Sequence, residues 1–79
     1  MEGPKLTPEQ AAEVRDEMAP GGVPVRFVFH GQCLDIQTGA LQSKGINGIY
    51  QRHYWHFSRE TSNKVVKFLG GAVRAEFSN

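Results

Sequence analysis

Side chains of different character alternate with period two in four stretches of this chain, and two other stretches carry an apolar stripe at helical spacing. From Val23 to His30, Val25, Phe27 and Phe29 fall on one side and Arg26, Val28 and His30 on the other. From Cys33 to Thr38, Leu34 and Ile36 oppose Cys33, Asp35 and Gln37. Gly31-Gln32 between them suits a two-residue type II′ turn, which predicts His30 and Cys33 as the closing pair of a hairpin. The faces then agree: Val25, Phe27, Phe29, Leu34 and Ile36 on the apolar side; Arg26, Val28, His30, Cys33, Asp35 and Gln37 on the other.

A third strand is predicted over Ile49–Phe57, which holds four of the chain's eight aromatic residues and two of its three histidines. Ile49, Gln51, His53, Trp55 and Phe57 have more to gain from burial and are assigned to the core. Tyr50, Arg52, Tyr54 and His56 then share the opposite face. Ala72–Phe77 alternates again, Val73, Ala75 and Phe77 against Arg74 and Glu76, and reads as a last, edge strand.

Two helices complete the pattern. Thr7 caps the first, Pro8 takes its first position, and Gln10 closes a capping box. Ala11, Val14 and Met18 form its stripe, and Pro20-Gly21-Gly22 ends it. Ser58 caps the second, which buries Val65, Phe68 and Leu69 and stops at Gly70-Gly71. Residues 39–48, with three glycines in ten, read as a loop. The expected order is α-β-β-β-α-β. It predicts a small single α+β domain over 7–79, with an antiparallel-type sheet, helices on one face, and residues 1–6 as a disordered N-terminus. The helix–three strands–helix part resembles double-stranded-RNA-binding domains in topology alone. Asn63-Lys64-Val65-Val66-Lys67 lacks the lysine-dense helix start those domains use.

Seventy-nine residues allow one small core, burying about 60–65% of the unfolded surface. A content of 39% apolar and 22% charged residues fits a globular chain. The single cysteine excludes an intramolecular disulfide; with no apolar run of membrane-spanning length, it predicts a soluble, cytoplasmic protein without a membrane partner. The net charge of +1 is unevenly spread. Residues 1–19 carry −3, residues 20–40 carry 0 and residues 41–79 carry +4, which opposes an acidic first helix to a basic second half.

The chemistry-bearing residues support several readings. Tyr50, Arg52, Tyr54 and His56, joined by Arg26, form an aromatic and basic sheet face. Tyr and Arg dominate protein-interface hot spots, so the first reading is a non-enzymatic adaptor or inhibitor that docks on a larger protein, without a cofactor. The alternative is an RNA- or DNA-binding module using Arg52, Tyr54, Lys64 and Lys67, with rings stacking on bases and cations pairing with phosphate. A second alternative is a small zinc domain built from His30, Cys33, His53 and His56, although only His30, Cys33 and His56 share a face on this assignment. Cys33 with His30 and Asp35 has the residue types of a nucleophile, base and orienter, but a domain this small leaves little room for a substrate pocket. Lys44-Gly45-Ile46-Asn47-Gly48 is no phosphate loop, since it lacks the Gly-Lys-Ser/Thr ending. A homodimer is compatible with all of these.

Overall fold

The structure, a computed structural model, describes residues 2–17, 22–51 and 54–78. Along the chain run α1 (Pro8–Asp16), β1 (Val23–Phe29), β2 (Gln32–Leu34), β3 (Leu41–Gln42), β4 (Trp55–Phe57), α2 (Arg59–Leu69) and β5 (Val73–Phe77). The class is α+β with an antiparallel sheet, in the order α-β-β-β-β-α-β.

β1 is the strand on which the sheet is built. Residues Phe27–Phe29 pair with both β2 and β5, which must therefore lie on opposite edges. Val25 pairs with both Trp55 and Phe77, which puts β4 on the edge that β2 uses. β2 and β4 thus lie in tandem along one edge of β1, like two halves of a single strand. Leu34 sits opposite Phe27 and Trp55 opposite Val25, leaving only the slot beside Arg26. The chain leaves the β1 edge at Asp35 and returns to it at Tyr54, beside that slot.

The helices form as their caps dictate. Thr7 Oγ1 accepts from the Gln10 backbone N–H at 3.1 Å and Gln10 Oε1 accepts from the Thr7 N–H at 3.0 Å. Ser58 Oγ accepts from the Thr61 N–H at 3.1 Å, and Gly70, at φ 79°, closes α2. Both helices pack on one face of the sheet. Ala11 and Val14 of α1 and Val65 and Leu69 of α2 meet Val25, Phe27, Leu34, Ile36, Phe57 and Val73 in one core, which Leu6 also enters. The buried Ser62 hydroxyl donates to the Ser58 carbonyl at 3.0 Å, so this core leaves it no unmet donor. Lys64 Nζ bridges the helices, 2.6 Å from Glu17 Oε2 and 3.3 Å from Glu13 Oε2. That hydrogen bond from Lys64, aided by one from Thr61, lowers the Glu17 pKa; the bond to Glu17 raises that of Lys64.

Several expectations need correction. The hairpin turn is His30-Gly31, at φ 49° and 78°, not Gly31-Gln32, and the closing pair is Phe29–Gln32. Positive φ at both central residues is the type I′ geometry, whose twist matches the flanking strands. The register differs from the expected one by two residues, so every side chain keeps its assigned face. Among the described residues of the strand predicted over 49–57, only Trp55–Phe57 is a strand. Phe57 is fully buried, Trp55 is half-buried, and Ile49 and Gln51 are exposed, so that face is not a continuous core face. His53 lies outside the described residues, as do Met18 of the α1 stripe and Pro20-Gly21 of its stop. The glycine-rich segment contains β3, which pairs with β2.

Residues 2–6, expected to be disordered, run beside 36–40. Gly3 N–H donates to the Gly39 carbonyl at 2.6 Å, Leu6 N–H donates to that of Ile36 at 2.8 Å, and Leu6 is buried. Gly39 permits the approach: a Cβ there would lie 2.7 Å from the Gly3 carbonyl oxygen. No described helix is long and apolar enough to cross a membrane.

Candidate functional site

Tyr50 and Tyr54, from the insert 35–54 between β2 and β4, lie over the second face of the sheet, and the local geometry follows from a few residues. Asp35 turns the chain: its Oδ1 accepts from the backbone N–H of Gln37 at 3.0 Å and of Thr38 at 3.3 Å. β3 then runs back along β2. At the far end the chain reverses over Gly45–Ile49. Gly48 N–H donates to the Gly45 carbonyl at 2.9 Å, Gly45 N–H donates to that of Ile49 at 3.0 Å, and Gly48 has φ 73°. This is a three-residue hairpin loop with glycine at the left-handed position. It carries two exposed isoleucines, Ile46 at 106% and Ile49 at 60% relative accessibility.

Tyr50 anchors the returning arm of this loop. The residue is buried, its ring packs with Val28 and Cys33, and its hydroxyl donates to the Gly31 carbonyl at 2.6 Å. Burial pushes its pKa up, reinforced by the Glu76 carboxylate. Two cations approach the same ring: the Arg26 guanidinium and Lys44 Nζ each lie 5.5 Å from its centroid. The Arg26 guanidinium also lies 4.0 Å from the Tyr54 centroid.

Arg26 is at this position because the slot beside it is empty. Ser78 N–H donates to the Pro24 carbonyl at 2.9 Å. In an antiparallel ladder the bonded pairs alternate, so the backbone groups of Arg26 also point to β5. The interruption between β2 and β4 therefore forfeits no ladder bond. The Arg26 side chain stands over the second face against Tyr50 and Tyr54 and is half-buried, and its Nε is buried without a hydrogen-bond partner among the described residues.

Of the residues proposed for docking, the structure brings together Arg26, Tyr50 and Tyr54, with His56 exposed on the same face beside Pro24. Arg52 lies outside the described residues. The face was expected to be open, but Tyr50 and Tyr54 lie over it, and Tyr50 is a buried anchor rather than a contact residue. Lys64 and Lys67 belong to α2 on the other side of the sheet, and Lys64 is held by Glu13 and Glu17, so neither extends a surface with Tyr54.

The zinc set also separates. The observed register pairs Cys33 with Val28 and leaves His30 exposed in the turn, its ring edge-on to Phe29 at 4.3 Å. Among the described residues no group of three or more His, Cys, Asp or Glu side chains comes together to hold a metal ion. The same register removes the side-by-side placement of His30 and Cys33 on which a nucleophile–base pair depended.

Ile46, Ile49 and Lys44 were not among the predicted site residues. The signal was present in Gly45-Ile46-Asn47-Gly48, whose Asn-Gly step favours a tight reversal and so sets an isoleucine at the tip. No protein-family model, curated protein or solved structure matches this chain.

Proposed function

We propose that this chain is a small non-enzymatic binding module, an adaptor or inhibitor, that docks on a larger protein through the Ser43–Ile49 hairpin and the adjoining Arg26–Tyr54 surface. The observation that carries this reading is the exposure of Ile46 and Ile49 on a hairpin braced by a buried tyrosine. A domain this small has few large apolar residues, and exposing two at the tip of a braced loop suits insertion into a partner's surface. Lys44 and Arg26 supply a positively charged rim beside the polar His56, the arrangement of protein interfaces. Bracing by Tyr50 limits the ordering cost of association.

The test is affinity capture from the native host's lysate by the wild type and by the double variant Ile46→Asp, Ile49→Asp. A protein retained by the wild type and lost by the variant, at unchanged melting temperature, supports the reading; equal retention overturns it. The partner once purified, binding should depend only weakly on salt. A steep linear fall of log affinity with log salt would instead indicate phosphate contacts and the nucleic-acid alternative.

A further inference from the structure

We propose that the outer edge of β5 pairs with the same edge of a second copy of this chain, joining two sheets into one across a two-fold axis at Ala75. Pro24 and Ser78 continue the β1–β5 register and share a hydrogen bond of 2.9 Å. Alternation along the ladder makes Arg26–Glu76 and Val28–Arg74 bonded pairs as well. The backbone groups of Val73, Ala75 and Phe77 therefore point away from β1, and no described residue pairs with them.

Such an edge is a template for another strand unless it is guarded. β5 reads Val73-Arg74-Ala75-Glu76-Phe77, with no proline, lysine or glycine in it. Its two charges are opposite in sign, so they do not repel a second copy placed in the right register. An antiparallel pairing centred on Ala75 sets Val73 opposite the second copy's Phe77, and Arg74 opposite its Glu76. The two-fold axis repeats each match. Val73, Ala75 and Phe77 then exchange backbone bonds with the second copy. Arg74 and Glu76 fall in the non-hydrogen-bonded pairs, where opposing side chains come closest.

Within one copy Arg74 Nη2 already lies 2.6 Å from Glu76 Oε2, with side chains 71% and 41% exposed. Pairing would share each carboxylate between two guanidiniums. The register is self-complementary, as an isologous interface requires. The edge lies across β1 from the insert, so this contact leaves the Ile46 hairpin free.

Sedimentation equilibrium on the full chain tests the proposal. For the wild type the average mass should rise with concentration from 8.8 kDa toward twice that value. Arg74→Glu and Glu76→Arg each oppose like charges in the pairing, and each should weaken association by about 10-fold or more. The double variant Arg74→Glu, Glu76→Arg restores every cross-pair and should recover association. Ala75→Pro removes an outward N–H without touching a β1 bond, and should give a monomer whose circular dichroism is that of the folded chain. A mass fixed at 8.8 kDa up to about millimolar concentration overturns the proposal. Association that neither single charge change weakens, or that the double variant does not recover, overturns it equally.

Discussion

The two faces of this sheet are covered by different means. On one, two capped helices bring apolar side chains into a shared core with Val25, Phe27, Leu34 and Phe57. On the other, a stretch of irregular chain brings one buried tyrosine, a half-buried second ring and Lys44, and both rings lie beside Arg26 of β1. The first face gains stability from area removed from water, which is roughly proportional to apolar burial. The second is held by a few specific contacts over a small apolar patch of Val28 and Cys33. The helix face should therefore decide whether the chain folds, and the insert face should decide the shape of the loop that it carries.

Substitution separates these roles. Phe57→Ala empties a fully buried site on the helix face and should cost about 3–5 kcal/mol, most of the stability available to so small a domain. Urea melts read this directly, and a loss under about 1 kcal/mol would erase the distinction between the faces.

Tyr50→Phe keeps the ring but removes the bond to the Gly31 carbonyl. It should cost about 1 kcal/mol, because Gly31 is exposed and water can replace the hydroxyl. The same variant sharpens the comparison through pH. The Tyr50 pKa is raised in the folded chain, so the protonated form favours folding. Its contribution is complete below the ordinary tyrosine value of 10.0 and is lost as pH rises through the higher folded value. Wild type should lose stability in that alkaline window faster than Tyr50→Phe. Parallel curves would mean that the ring is not buried as described.

The smallest effect lies away from both faces. Ala72 sits at φ 73° in the turn from α2 to β5, a conformation that costs an L-residue about 1–2 kcal/mol. Ala72→Gly should raise stability by about 0.5 kcal/mol once the added freedom of the unfolded chain is subtracted. Thermal melts in which glycine destabilises would show that Ala72 holds contacts worth more than its strain.

The helix face was legible in the sequence because its residues obey fixed periods. Val25, Phe27 and Phe29 alternate, Val65 and Leu69 are four apart, and Thr7 and Ser58 announce the caps. The hairpin turn was misplaced by one residue, since His30 is rarely expected at positive φ and Gly31 draws attention to the position after it. The second face was misread for a different reason. Alternation over 49–57 is a local signal, but among its described residues only Trp55, His56 and Phe57 find unclaimed neighbours on β1. β2 already occupies the rest of that edge, so Ile49–Gln51 has no strand to pair with and folds back over the sheet. No property of residues 49–57 alone carries that competition. Tyr50 consequently passed for a contact residue, while the isoleucines of the tip passed for loop filler.

The tandem placement of β2 and β4 also bears on how this chain tolerates change in length. The ends of the insert are held one empty slot apart by strands that belong to the main sheet, whatever lies between them. Adding residues at the tip leaves those ends where they are, and doubling a flexible loop costs only about 0.6 kcal/mol in closure entropy. Shortening is harsher, because it withdraws Tyr50 from its place over Val28 and exposes Arg26. The fold thus offers a port where unrelated sequences of at least the present length can be exchanged, with the Asp35 turn and the Tyr50 anchor as the two fittings to keep.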